Sequence, residues 1–482
     1  MTTSNFDVLV VGNGAVGSSI AFELASRGLR VAKIGPRTRD LAASTAAGAM
    51  LGCFGEVTRL TVEEPNGRAK LGADLKARSL WPEWIQRLSE FGSGDIFSSR
   101  GTAVVLNTIG THEVDTGNFG AIKNALEEHR EPYEGIDPKD IPWYNPDELS
   151  RALSAIYIPG ERSVHVPRLL GHLDEGFRKI GGSDYDAFVT ELIFDGDTCQ
   201  GVRLNDGRAL FSSSVVLAAG ASSLKLLESF PDVVERIPPM FSGYGVSMIA
   251  SDAGTVSPQD VIRTPNRAFA CGLHSVPRTD SKIYVGGTNV LVNKPREFAT
   301  IRDLEFLLNC AVFQLNRDLP KAAVERVQVG NRPVPADGFP LVGEVGLNGV
   351  VLATGTYRDG LHQSPLLATY VADLLQGVIS EADGIFKPFT PVRRPLQIAS
   401  RGRIIEMATD ELIAAAYETH WNVRPEWPDL IRATAPGEFE RKADRVHGGI
   451  TPPPDVLAKM DDAMESRLRS YYAAWADMGV GV

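Results

Sequence analysis

The chain has little of what several function classes require. Its 482 residues include only 4 cysteines, Cys53, Cys199, Cys271 and Cys310, with no CxxC pair or Cys/His cluster among them. That scatter supports neither a zinc site nor a disulfide framework, and it fits a reducing cytoplasm. No metal chemistry is expected. No apolar run approaches the roughly 20 residues of a membrane-spanning helix. Met1 to Asp7 carries no basic residue, so no secretory leader is expected. Basic charge is also short. A formal net charge of -11 and a pI near 5.4 argue against a nucleic-acid surface and disfavour anionic membranes. Internal repeats and low-complexity tracts are absent.

What remains is an ordinary globular composition, 43% apolar and 23% charged, long enough for two or three domains. The segment "FDVLVVGNGAVGSSIAFELASRGLRVAKI" reads as strand, glycine turn, helix and strand. In its turn Gly12 permits the tight bend, Gly14 lets backbone approach a pyrophosphate, and Gly17 lets helix and strand pack closely. Ala15 and Val16 open the helix, whose free N–H groups and dipole favour phosphate. The second strand lacks the acid that ordinarily accepts the ribose hydroxyls, because Gly35 stands there. Two readings stay open. Arg37 or backbone holds the ribose, or Arg37 and Arg39 meet a 2′-phosphate.

Two more glycine-tipped strands follow. "VVLAAGASS" ends at Ala219 and Gly220, after a meander that starts at Val189. "GVVLATGTYRDGLHQSP" ends a buried strand at Gly355 and at once places Arg358 beside it. Between the first and second tips, "AASTAAGAMLGCFGE" is a run of small residues where backbone can pass close to a flat ligand. Ser44 and Thr45 are its hydroxyl donors. Residues 91–154 read as connections around short strands. Residues 396–482 read as helices, one around Thr409–Thr419 and a long one from about Pro453 to Met478, stopped by Gly479. Trp421, Trp427 and Trp475 lie there, which implies that this region docks on something.

From Phe6 to about Val378 these motifs, with "RPVPADGFPLVG", resemble the FAD-dependent amino-acid and amine oxidases of the D-amino-acid oxidase type. Among these the chain is most similar to glycine and sarcosine oxidases. The resemblance implies an α/β, Rossmann-like FAD domain (1–90, 155–230, 328–390) interleaved with an antiparallel-sheet substrate domain (91–154, 231–327). A helical extension, 391–482, would follow. It implies FAD contacts at Gly12, Gly14, Ala15, Val16, Gly17, Arg37, Ser44, Thr45, Ala46, Gly48, Met50, Val189, Ala219, Gly220 and Gly355. Gly360, Leu361, His362 and Gln363 would form a helix N-terminus at the flavin, where oriented N–H groups stabilise the reduced ring.

The resemblance further implies that Arg332 and Arg358 lie near flavin and bind a substrate carboxylate, which a guanidinium fork matches in a bidentate way. The bland alternative for Arg358 is a salt bridge to Asp359. His274 falls where glycine oxidases place a substrate-side aromatic residue, and Tyr244 and His362 are further pocket candidates. The expected reaction is oxidation of an amino acid or small amine by hydride transfer to FAD, with dioxygen as acceptor and peroxide as product. A flavin dehydrogenase, a subunit of a multi-component oxidase of the hydrogen cyanide synthase type, and a hydroxy-acid substrate are alternatives. A cofactor-free scaffold is a third class. The changed "LHQSP" points to a substrate bulkier or more polar than glycine. The C-terminal extension would cap the pocket, join copies of the chain, or bind a partner subunit.

Overall fold

Val8 to Val11 are buried on both faces, and Asn5–Val11 runs as a central parallel strand. A computed structural model describes residues 5–40, 42–251, 257–268, 270–279, 281–382, 384–418 and 423–476. The first sheet has eight strands. Across it run Leu341–Glu344, Val350–Thr354, Ala209–Leu217, Asn5–Val11, Val31–Ile34 and Ser183–Tyr185. All but the first of these are parallel to their neighbours, so Val11, Leu217 and Thr354 end at one edge. Val189–Asp195 and Thr198–Leu204 extend from Ala209–Leu217 as the expected meander. Helix Ala15–Ser26 packs against helices Ser364–Leu375 and Val166–Lys179.

The second sheet has nine strands and is mainly antiparallel. Its long strand Met240–Ser251 pairs on one side with Val290–Val292 and Lys282–Gly286. On the other side it pairs with Val324–Pro335, which carries Arg332 toward the first sheet. Two expected domain boundaries fall inside strands of this second sheet. Residue 155 lies within Ala152–Ile158, and residue 328 within Val324–Pro335. Residues 91–154 hold more than connections, since Gly117–Glu128 is a helix buried through Phe119, Ile122, Ala125 and Leu126.

The C-terminal region is helical but divided differently from the expectation. Its helices are Arg401–Tyr417, Trp427–Val446, Pro454–Lys459 and Asp462–Ala476. The expected long helix breaks at Asp461, whose carboxylate accepts the Met464 N–H at 2.8 Å and so starts a new helix. The helix Trp427–Val446 was hidden by Pro436 and Gly437 in its middle. Thr419, Trp421, Met478 and Gly479 lie outside the described residues. Trp427 is half exposed. Trp475 does dock, packing on the common core and donating to the Arg236 carbonyl at 3.3 Å, alongside Phe439, Val456, Leu457, Met464 and Leu468, which share one core with helices Ala15–Ser26 and Ser364–Leu375. Among the described residues no helix is long and apolar enough to cross a membrane.

A buried ion pair fixes the extension to the first sheet's rim. Arg393 donates to Asp337 at 2.9 and 2.8 Å and also to the carbonyls of Phe339, Pro340 and Thr390. Tyr471 of the last helix donates to the Arg393 carbonyl at 3.0 Å. Removing one partner of a buried pair strands the other charge. Asp337→Ala is therefore expected to destabilise the fold by about 3 kcal/mol, read as a lower midpoint in chemical denaturation. An unchanged midpoint would separate the extension's docking from this pair.

Candidate active site

Three glycine-tipped strands meet at the edge where Val11, Leu217 and Thr354 end. Gly12 has φ +118°, and a Cβ there would lie 2.2 Å from the Ala218 carbonyl oxygen. A Cβ on Gly17 would lie 2.1 Å from the Gly12 oxygen. Only glycine permits either approach. Helix Ala15–Ser26 has no side-chain cap from Gly14, and the Ala15 N–H donates to Ser44 Oγ at 2.9 Å. The amides of Val16 and Gly17 fall in the first turn, where no intrahelical acceptor exists. From the third tip, Gly360 packs within 3.7 Å of Val16 for an added Cβ. The arrangement is a cradle for a diphosphate.

The run Ala42–Met50 passes between the two sheets. Thr45 and Ala46 offer their carbonyls to Gln328 and Tyr284 at 2.9 and 3.0 Å. A Cβ on Gly48 would lie 2.9 Å from His274 Nε2 and 3.1 Å from the Tyr284 ring. Met50 bridges to Ser163. Beyond the run, the Glu161 carboxylate accepts the amides of Cys53, Phe54 and Gly55 and fixes the approach to Glu56.

Glu56 sits between Arg263, at 2.6 Å, and Arg358, at 3.8 Å. Burial opposes its charge, yet Arg263 and Arg358 hold the carboxyl well below the usual range. Arg358 also donates to the Tyr357 hydroxyl at 3.2 Å and lies 4.7 Å from the Tyr357 ring centre. Asn289 Nδ2 donates to the same hydroxyl, while Asn289 Oδ1 accepts from Arg332 at 3.2 Å. Arg332, Asn289, Tyr357 and Arg358 thus form one hydrogen-bonded chain. Arg332 otherwise donates to the carbonyls of Thr288 and Gly243, at 3.3 and 3.5 Å, and makes no ion pair among the described residues. Tyr357 is held at φ +52°, an uncommon conformation for a residue with a side chain.

The family model for the DAO group, FAD dependent oxidoreductase, matches residues 7–374. The chain belongs to this family. It is 28% identical over 379 residues to glycine oxidase from Geobacillus kaustophilus, covering 78% of this chain and 94% of that protein. Glycine oxidase from Pseudomonas aeruginosa is 25% identical over 378 residues, 77% of this chain and 94% of that one. The crystal structure of glycine oxidase from Bacillus cereus superposes with a TM-score of 0.67 at 22% identity, covering 81% of this chain and 99% of the other. Members of the family are FAD-binding flavoproteins. The helical region after residue 391 lies beyond the matched span.

The residues present fit FAD. Besides the diphosphate cradle, Ser364 Oγ at the start of helix Ser364–Leu375 is buried and has no hydrogen-bond partner among the described residues. Buried polar atoms of this kind call for a ligand or water. At the ribose position, a Cβ on Gly35 would lie 2.6 Å from the Asn13 side chain, which donates to the Pro36 carbonyl at 2.8 Å. Asn13 therefore fills the place of the missing acid. Arg39 is engaged by Asp174 at 2.7 Å and by the Asn13 carbonyl, while the Arg37 side chain is 86% exposed beside Asp186. Of the two arginines Arg37 is the more exposed, and its ion pair with Asp186, at 4.0 Å, is the longer one.

Tyr244 lies elsewhere. Gly243, directly opposite Arg332, and Gly245 share the Arg332 face, and a Cβ on Gly245 would lie 2.3 Å from Arg332 Nη1. By strand alternation Tyr244 faces the other way. Its hydroxyl donates to Asp303 at 2.8 Å inside the second sheet's own core. The two glycines flanking it were the signal. His362 likewise turns to helix Pro65–Ser89, with Nε2 at 2.8 Å from the Asp74 carbonyl, and Gln363 donates to the Asp74 carboxylate at 2.6 Å. The polarity of "LHQSP" thus answers Asp74 and gives no measure of substrate size. Asp359 pairs with Lys70 and not with Arg358. Burial pushes its carboxyl up to about 6, with Lys70 pulling the other way. Leu361 is buried, and Val189 opens the outer meander. Ala219 and Gly220 follow the second tip, where Thr354 Oγ1 donates to the Gly220 carbonyl at 3.0 Å. Gly355 has φ +72°. Tyr357 lies in the quoted stretch beside Arg358 with no role assigned to it, and Asn289 carries no motif; only the fold joins them.

His274 is buried, its ring stacked on Tyr284 at 5.6 Å, with Nδ1 at 2.7 Å from the Gly272 carbonyl. Burial lowers its pKa to about 4, so it is neutral at pH 7. A depressed pKa leaves its stabilisation complete above the ordinary value of 6.5 and removes it as pH falls toward 4. His274→Phe is expected to flatten the acid limb of the unfolding midpoint across that window, and an unaltered limb would refute the assignment. At the diphosphate cradle, Gly12→Ala is expected to yield folded protein without bound FAD, read from flavin absorbance per chain.

Proposed function

We propose that the chain oxidises the C–N bond of an amino acid or small amine, with bound FAD as hydride acceptor and dioxygen as final oxidant. The substrate loses hydride from the carbon that bears nitrogen, the resulting imine hydrolyses to a carbonyl compound and ammonia or an amine, and dioxygen leaves as hydrogen peroxide. The observation that carries this reading is Arg332, a cation without an acid partner among the described residues, tied through Asn289 and Tyr357 to Arg358. A guanidinium so placed matches a carboxylate. The chain's own residues bind and orient. Arg332 and Arg358 hold the carboxylate, neutral His274 keeps charge away from the flavin-side wall, and enclosure favours the uncharged amine. No general base is assigned, since hydride loss from a neutral amine needs none.

The test is a screen of amino acids and small amines with FAD-loaded protein, following peroxide by a coupled peroxidase. Peroxide with one of these substrates supports the proposal. Flavin bleaching that air reverses only slowly, without peroxide, indicates a dehydrogenase. Arg332→Ala is expected to lower kcat/KM by roughly 10- to 150-fold, the range for a hydrogen bond to a charged group. Arg332→Lys should recover only part of the loss.

A further inference from the structure

A second cavity opens away from the arginine chain. Its volume is about 1060 Å³, and Thr45 to Ala47 form part of its lining. Helix Val166–Lys179 contributes Leu170 and Gly171. The second sheet contributes Ile249 and Val329, with Arg278 just after strand His274–Pro277. No glycine of the three strand tips lines it, nor do Arg332, Asn289, Tyr357 or Arg358. Of the expected FAD contacts, Arg37, Thr45 and Ala46 reach its lining. The size suits a small organic molecule, whose pockets run to roughly 300–1,000 Å³.

Arg278 is the informative residue. It donates to the carbonyls of Ala47, Gly48 and Pro277 at 3.1, 3.3 and 3.4 Å, and it makes no ion pair among the described residues. The neighbouring cations are matched, Arg39 by Asp174 at 2.7 Å and Lys282 by Glu325 at 2.8 Å. The whole lining holds five cations, Arg37, Arg39, Arg278, Lys282 and Arg326, against four acids, so the excess charge is positive. Burial pushes the Arg278 guanidinium down to about 10, with Tyr284 pulling the other way. The guanidinium also lies 5.0 Å from the Tyr284 ring centre, and that ring stacks on His274. The cavity thus backs onto the wall that carries His274. Leu170, Ile249 and Val329 make its apolar sides, and Phe298, 80% exposed, stands at its rim.

We propose that this cavity is a second ligand site, which binds a small organic oxyanion with an apolar body. Its carboxylate or phosphoryl group would sit on Arg278 and its body against Leu170, Ile249, Val329 and Phe298. A guanidinium fork matches either group in a bidentate way. The anion would neutralise a charge that carbonyl dipoles only stabilise. The site is separate from the arginine chain, so it stands whichever substrate is oxidised there.

The test is calorimetric titration of FAD-loaded wild type, Arg278→Gln, Gly171→Trp and Arg332→Ala with phenylacetate and with phenyl phosphate, at fixed ionic strength. A Cβ on Gly171 meets nothing within 4 Å, so tryptophan there narrows the cavity without a backbone clash. Thermal melts check that each variant is folded. The expected result is that one probe or both binds wild type and Arg332→Ala alike, the tighter probe identifying a carboxylate or a phosphoryl ligand. Arg278→Gln should bind at least about tenfold more weakly, the cost of a lost hydrogen bond to a charged group. Gly171→Trp should bind more weakly too. Wild type that binds neither probe overturns the assignment, as it would if the cofactor itself filled the cavity. Binding lost in Arg332→Ala overturns it as well, since the anion would then sit on the arginine chain. An unchanged affinity in Arg278→Gln also overturns it. If that variant melts early, Gly171→Trp decides, and an unchanged affinity there ends the proposal.

Discussion

A guanidinium that among the described residues faces carbonyls, an amide oxygen and a thiol but no acid is an unneutralised charge, and the surrounding fold must be shaped to tolerate it. Arg332 is that group. Space for it comes from Gly245 on the neighbouring strand, where a Cβ would lie 2.3 Å from Arg332 Nη1, while one on Gly243 would crowd Asn289 Oδ1 at 2.9 Å. Tolerance comes from polar atoms that the two sheets bring from different directions: Thr288 and Asn289 from the turn before Val290, and Cys271 from the approach to His274. Such a charge is stabilised by dipoles but not neutralised. A bound anion completes it, as with other buried charges that need a partner.

The opposite arginine is held under tighter control. Arg358 follows a tyrosine in a left-handed conformation and precedes an aspartate that belongs to a different network. Asp359 pairs with Lys70, Lys70 also pairs with Asp74 at 3.0 Å, and Asp74 receives Gln363. This cluster pins the residues just after Arg358 to helix Pro65–Ser89 and leaves the arginine to Glu56 and Tyr357. The strained φ of Tyr357 has an evident return, since it sets the hydroxyl between Asn289 and Arg358. The turn after the third strand tip and Arg358 are thus fixed by one stretch of chain, Gly355 to Ser364, anchored from several elements.

Much of this was legible in the sequence because it is local. Gly12, Gly14 and Gly17 fall within one turn, and their spacing alone encodes close backbone approach. The strand tips at Gly220 and Gly355 could likewise be read from apolar runs that stop at glycine. Tyr244 failed for an instructive reason. Its aromatic type drew attention, whereas the informative residues were its glycine neighbours, and a shift of one position along a strand reverses the face. Asn289 and Tyr357 lie 68 positions apart in the chain and meet only through tertiary structure. No local pattern reports such a pair. The same holds for Asn13 against Gly35, where a missing acid was visible but the side chain that replaces its volume was not.

The C-terminal region extends the argument from packing to chemistry. A floating tail would leave Arg393 and Asp337 in water, where an ion pair contributes little. Here both side chains are about 5% exposed, and the charges persist only because the extension closes over them. That closure also seats helix Pro454–Lys459 beside strand Val290–Val292, which directly follows Asn289. The family core supplies the strand tips and both arginines, whereas the added helices pack against the strand beside the residue that joins those arginines, so sequence changes at the Arg393–Asp337 contact bear on that packing.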